Sequence, residues 1–348
     1  MKYVVDIPKN VFDKIKKWID AGRYESVSDY VCTALENQIS IEEVEEGEVK
    51  ISAGIPKRVA YFSARPERPE EHISLVSLYP DLLSKESLTA STVPLPDESK
   101  INSGWLWGQY SKIFPVKLSL RMLANLVSKT NNEYVDLEDA RKKIAAAARE
   151  MGCTLKARDK LAGRAHGEKY SAGLPTTDKE QKTLGRYETQ FVGYMTKDAF
   201  LGGAPADLKF VNMVRNEKGV VKIGLTDPGK RFALLENPVI DTLEYSDALS
   251  EKEKKFYINH VFKCVPGEAE ALRTVLSSVK QGIITPATLN RKIGETEEAK
   301  KRNWSQAVIN TMRAGAVSRF CELGLLARKK NGIRATYVLT EEGKKYVG

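Results

Sequence analysis

"GLLARKKNGIRATYVLT", Gly324 to Thr340, places two short apolar and β-branched runs on either side of Asn331-Gly332. Such a pair is a strong short-range hairpin signal, because both residues tolerate the positive φ of a tight turn. The flanks of the turn are basic, with Arg328, Lys329 and Lys330 before it and Arg334 after it. Upstream, a long helix is predicted from about Asn303 to Leu323. Before that, "TPATLNRKIG" starts a helix with Thr285 at the cap and Pro286 at the first helical position. "PGEAEALRTVLSSVKQG" reads as another helix. In "LSEKEKKFYINHVFKCV", Ser250 and Glu253 stand at capping-box spacing.

This succession of helices and a basic hairpin resembles the winged-helix family over about residues 265 to 348, where "ELGLLARKKNG" and "LTEEGKKY" supply a typical context. The resemblance implies that the third helix enters the major groove of DNA and that the hairpin, the wing, touches backbone or minor groove. Helical geometry points the same way. At 100° per residue, Trp304, Ala307, Val308, Thr311 and Gly315 fall on one side of the long helix, and Arg302, Gln306, Asn310 and Arg313 on the other. The second set can make paired hydrogen bonds to base edges, Arg to guanine and Gln or Asn to adenine. Arg328, Lys329, Lys330 and Arg334 would meet phosphates. The alternative is an exposed polar helix face and a solvated turn.

A repeat extends the pattern. "LTDPGKRF", Leu225 to Phe232, and "LTEEGKKY", Leu339 to Tyr346, share L-T-x-x-G-K-basic-aromatic, and each follows a β-rich stretch entered through glycine. A threonine that caps a helix just after a strand accounts for the L-T step, and two copies imply two related modules. In the first copy, "PVKLSLRMLANLV" and "DLEDARKKIAAAAREMG" read as helices, the latter capped by Asp136. The stretch from Lys156 to Arg186 carries eight basic and four acidic residues. It reads as a solvated loop or a DNA-tracking insertion, with the loop preferred. Just before this copy, "SGWLWGQYSKIFP" gathers Trp105, Trp107, Tyr110 and Phe114. Such a cluster is more often the packing entry to a domain than a base-stacking platform.

At the other end, "KYVVDIPKN", Lys2 to Asn10, alternates like a strand, with Tyr3, Val5 and Ile7 on one face and Lys2, Val4 and Asp6 on the other. Two helices are predicted after it, the first with Val11, Phe12, Ile15 and Ile19 as its apolar positions, the second capped by Ser26 or Ser28. One strand and two helices in roughly 40 residues cannot bury a self-sufficient core, so the unit needs a second copy of itself. These residues resemble the ribbon-helix-helix family, in which paired strands enter the major groove and the start of the second helix grips phosphate. Lys2, Ser26 and Ser28 are the candidate DNA contacts, and Tyr3, Val5 and Ile7 the dimer contacts. The reading face departs from the family pattern, because Asp6 would oppose the field of DNA. The strand is therefore expected to join two chains more than to read bases.

Charge is unevenly placed. Residues 251–348 hold 19 Lys+Arg against 10 Asp+Glu, whereas residues 1–50 hold 7 against 11. A basic C-terminal third suits a polyanionic partner. The four cysteines, Cys32, Cys153, Cys264 and Cys321, contain no CxxC pair, and His72, His166 and His260 are isolated, so neither a disulfide framework nor a metal site is expected. Phosphate-loop, dinucleotide, HExxH and GxSxG motifs are lacking, and no enzyme activity or cofactor is expected. With no apolar run long enough for a bilayer and no leader-like start, the expectation is a cytoplasmic protein without membrane contact.

The expected fold class is mainly α with small β elements (α+β). A ribbon-helix-helix dimerisation unit, residues 1–42, precedes a linker and small irregular segment, 43–104. A winged-helix-like domain with a long basic insertion spans 105–240, and a second winged-helix domain spans 241–348. The expected function is that of a homodimer, paired through residues 1–40, that binds double-stranded DNA and regulates transcription. An architectural, plasmid-partition or replication factor, or a protein-interaction adaptor, would use the same folds.

Overall fold

A computed structural model describes residues 9–20, 27, 91–97, 104–130, 132–176, 180–242, 244–331 and 334–347. The chain divides into two units, Met1–Ala60 with Lys330–Ala335, and Tyr61–Lys329 with Thr336–Gly348. In the first, helix α1 spans Lys9–Asp20 as expected, with Ile15 buried and Phe12 exposed. Lys2, Tyr3, Val5, Ile7, Ser26 and Ser28 lie outside the described residues.

The second unit is α+β, helical with small antiparallel sheets. Its first half runs α2 (Phe114–Ser128), β1 (Tyr134–Asp136) and α3 (Leu137–Leu161), then α4 (Glu180–Tyr187), which continues into a π-helical turn, Glu188–Val192. A two-stranded pair, β2 (Tyr194–Met195) and β3 (Leu201–Gly202), and α5 (Ala204–Asp207) lead to the hairpin β4 (Val211–Arg215) and β5 (Val221–Leu225), closed by α6 (Asp227–Leu234). Strands order as β1-β5-β4, with Val135 opposite Ile223 and Met213 opposite the same residue from the other side. Ser91–Asp97 lies along this sheet: Ser91 Oγ donates to Leu225 O at 2.6 Å, and Asn212 Nδ2 donates to Pro94 O at 2.9 Å.

The second half runs α7 (Glu251–Cys264), α8 (Pro266–Lys280), α9 (Pro286–Gly294), α10 (Glu297–Lys301), α11 (Gln306–Glu322), the hairpin β6 (Leu326–Asn331) and β7 (Arg334–Leu339), and α12 (Glu341–Lys344). The expected caps are in place: Asp136 accepts from Asp139 N–H, Ser250 and Glu253 form a capping box, and Thr285 caps α9 ahead of Pro286.

The repeat is a repeated joint. Thr226 caps α6 and its hydroxyl donates to Lys209 O; Thr340 caps α12 and its hydroxyl donates to Gly324 O. Thr226 N–H donates to Phe210 O at 3.0 Å and Thr340 N–H to Leu325 O at 3.2 Å. A methyl group on Gly229 would overlap Phe210 O, and one on Gly343 would overlap Leu325 O. Both Lys209 (φ 57°) and Gly324 (φ 72°) are left-handed, the step that turns the chain into the first hairpin strand. The correspondence extends upstream. Asp136 ends β1, which pairs with β5; Thr285 follows Ile284, whose carbonyl accepts from Tyr337 N–H of β7 at 2.8 Å.

The two halves share one apolar core, seamed by buried charge. Lys117 of α2 lies 2.8 Å from Glu253 of α7, both fully buried, and donates to the carbonyls of Phe232 and Leu235 at 2.6 Å each. Burial pushes this ammonium down to about 8, against the pull of Glu253. Arg121 grips Asp241 with both terminal nitrogens, and Asn237 donates to Glu253 at 2.9 Å. Within the second half, Arg319 of α11 pairs with Glu268 of α8 at 2.7 and 2.8 Å, and it donates to Tyr110 O outside that half.

The expected loop between Lys156 and Arg186 is corrected in large part. Lys156 to Leu161 continue α3, Glu180 onward is α4, and the turn between is tied to buried Asp159, which accepts from Tyr170 N–H at 3.1 Å and Ser171 N–H at 2.9 Å. A buried carboxylate needs such donors, and their pattern over eleven or twelve residues is not visible as a sequence motif.

Candidate nucleic-acid interface

Helix α11 begins at Gln306, capped by Ser305, and not near Asn303. Arg302 therefore does not belong to its face. It is the C-cap of α10 and pairs with Glu298 one turn back. The short α10 that intervenes has its own cap, Thr296, and an acidic first turn, so the segment folds as a separate helical turn.

Three sides of α11 have different surroundings. Ile309, Met312, Ala316 and Phe320 are buried in the core. Thr311 and Gly315 meet residues 104–113: Gly108 and Gly315 approach so closely that a methyl group on either would overlap the other strand of backbone, and Gly108 N–H points at Met312 Sδ at 3.2 Å. Trp304 packs edge-on to Trp105 with ring centroids 5.8 Å apart. Trp105, Tyr110 and Phe114 are buried, the packing role expected of them, whereas Trp107 is 37% exposed.

The remaining side is open. Gln306, Ala307, Asn310 and Ala314 are exposed there, and Arg313 is half-buried at its edge. The expected face is therefore kept at Gln306, Asn310 and Arg313 and corrected at two positions, with Arg302 leaving it and Ala307 joining it. Gln306 Nε2 donates to Asn310 Oδ1 at 3.0 Å, and Asn290 Nδ2 of α9 donates to the same oxygen at 2.7 Å. Arg313 Nε donates to Asn290 Oδ1 at 2.9 Å and Arg313 Nη1 to Tyr337 Oη of β7 at 2.6 Å. Five side chains from α9, α11 and β7 thus form one connected set. With the Asn310 oxygen occupied twice, the groups of this pair that the set does not use are the Asn310 Nδ2 donors and the Gln306 carbonyl oxygen.

Arg313 is largely committed to this set, which makes it a brace as much as a contact. Asn290 and Tyr337 carry no signal in a one-dimensional pattern: Asn290 reads as a polar position of a short helix and Tyr337 as a strand residue. Their part in the site comes from helix–helix and helix–strand packing.

On the neighbouring elements, Arg328 and Lys329 of β6, Arg291 of α9 and Lys301 at the end of α10 are exposed. Lys300 is offset by Glu297 at 2.9 Å, and holds that carboxyl below its ordinary range. The side chains of Lys330 and Arg334 lie outside the described residues. Among the described residues no His/Cys/Asp/Glu group could hold a metal ion, and no helix is long and apolar enough to cross a membrane. The chain matches no family model, no curated protein and no solved structure.

Proposed function

We propose that this protein binds double-stranded DNA as a homodimer and regulates transcription. In this reading α11 enters the major groove, the β6–β7 hairpin is the wing on the phosphate backbone, and residues 1–40 join the two chains. The observation that carries it is the braced amide face of α11, in which Gln306 and Asn310 are exposed yet linked to each other, with Asn310 held by Asn290 and Asn290 in turn by Arg313. Amide groups held before binding lose less side-chain entropy on meeting a base edge.

The order of elements supports a winged-helix reading: helix α8, a strand-like contact at Ile284, helices α9 and α11, then the hairpin. On α1, Ile15 is buried while Phe12, one turn earlier on the same face, is exposed, an apolar surface that a second chain would cover.

Mobility-shift titration of wild type and a Gln306→Ala/Asn310→Ala variant against a selected site and against unrelated duplex tests this. Loss of each amide contact is expected to weaken the selected site by about 1–3 kcal/mol while leaving non-specific binding nearly unchanged. Equal discrimination by the two proteins would remove α11 as the reading element.

A further inference from the structure

We infer that the continuous helical segment Glu180–Val192 is a second DNA-contacting element, laid against the sugar–phosphate backbone of the same duplex that α11 reads. The inference rests on the proposed DNA-binding function. The repeated joint matches β4–β5 to β6–β7, and in chain order this segment follows α3 and precedes β4–β5 as α11 follows α9 and precedes β6–β7, with β2, β3 and α5 interposed in the first copy alone.

Its outward stripe is basic and polar. Lys182 and Arg186 are exposed one turn apart, and Gln190 follows one turn later. Arg186 Nε donates to Gln190 Oε1 at 3.3 Å, and Gln190 Nε2 donates to Gln109 Oε1. Gln109 sits in the turn closed by Tyr110 N–H on Trp107 O, beside Gly108, whose backbone is pressed onto α11 at Thr311 and Met312. A line of donors and acceptors therefore runs from Arg186 through Gln190 to Gln109, next to the glycine packed on α11. Gly185 lies within the stripe. A helical glycine costs about 1 kcal/mol relative to alanine, and here no packing explains it, since a methyl group at this position would meet nothing within 4 Å. An open glycine between two exposed cations lets a phosphate backbone come close to the helix.

Duplex titrations at several salt concentrations, on the full chain, decide the matter. Lys182→Ala/Arg186→Ala is expected to reduce the magnitude of the salt slope by about 1.8 per protomer, two phosphates at roughly 0.9 each. Gly185→Leu, which adds bulk only outward, is expected to weaken binding on the order of tenfold with thermal unfolding at or above that of wild type. If both variants keep wild-type slope and affinity while Gln306→Ala/Asn310→Ala loses discrimination, the second element is refuted and the α11 reading stands. If wild type fails to bind duplex, both fall.

Discussion

Glu253 shows how one residue can serve three masters. Its carboxylate completes the capping box of α7, accepts from Asn237, and faces Lys117 at 2.8 Å in a fully buried setting. The capping box was legible from Ser250 and Glu253 three residues apart; the ion pair was not, because Lys117 lies 136 positions upstream in an apolar helix. Removing one partner of such a pair leaves an uncompensated charge. Glu253→Leu is expected to destabilise the protein by about 3–5 kcal/mol, whereas Lys117→Met/Glu253→Leu is expected to lose far less than the sum of the single changes. Chemical denaturation of the four proteins of this cycle checks it; additive losses would mean the two charges do not sense each other.

At the scale of elements, α7 is pinned to the first half through His260. Its ring stacks on Phe210 with centroids 4.5 Å apart, and Nε2 meets Leu208 O at 2.7 Å. Burial lowers its pKa below the ordinary 6.5, more than the Leu208 carbonyl raises it. The unfolded chain therefore binds a proton more readily than the native one as pH falls through about 6.5, and native stability drops in that window. Buried Glu268 and half-buried Glu322 work in the opposite sense, since loss of solvent raises their folded values above 4.5. The comparison that isolates the histidine is wild type against His260→Gln: the stability difference should move in favour of the variant on going from pH 7.5 to the region of about 5.5. A pH-independent difference would show that His260 titrates alike in both states. The same packing explains the elements that local pattern mislocated. The run from Asn303 continues the period of α11, but Asn303 has φ 49° and the Ser305 cap starts the helix anew, so Arg302 ends another helix.

For the whole molecule, the proposed function makes charge and pairing set the behaviour on DNA. With about five phosphates neutralised per protomer, the dimer should show a salt slope of roughly −9. Tethered reading units raise the effective concentration for the second half-site, so a footprint of two half-sites is expected, in contrast to the spreading or bending of an architectural protein. Binding isotherms at several salt concentrations with footprinting check both. A slope near zero would falsify the phosphate-dominated picture.

The sequence by itself determined what depends on neighbours along the chain: the caps at Asp136, Ser250 and Thr285, the two strands Leu326–Asn331 and Arg334–Leu339, the paired L-T-x-x-G joints, and the polar character of Gln306 and Asn310. These are local because a cap or a tight turn spends its hydrogen bonds within a few residues. Tertiary structure alone decided that Asn290 and Tyr337 brace Arg313, that Gly108 lies on the backbone of α11, and that Lys117 meets Glu253. Each of those contacts joins residues distant in sequence, and only the closure of a shared core brings such partners together and excludes the water that would otherwise satisfy them.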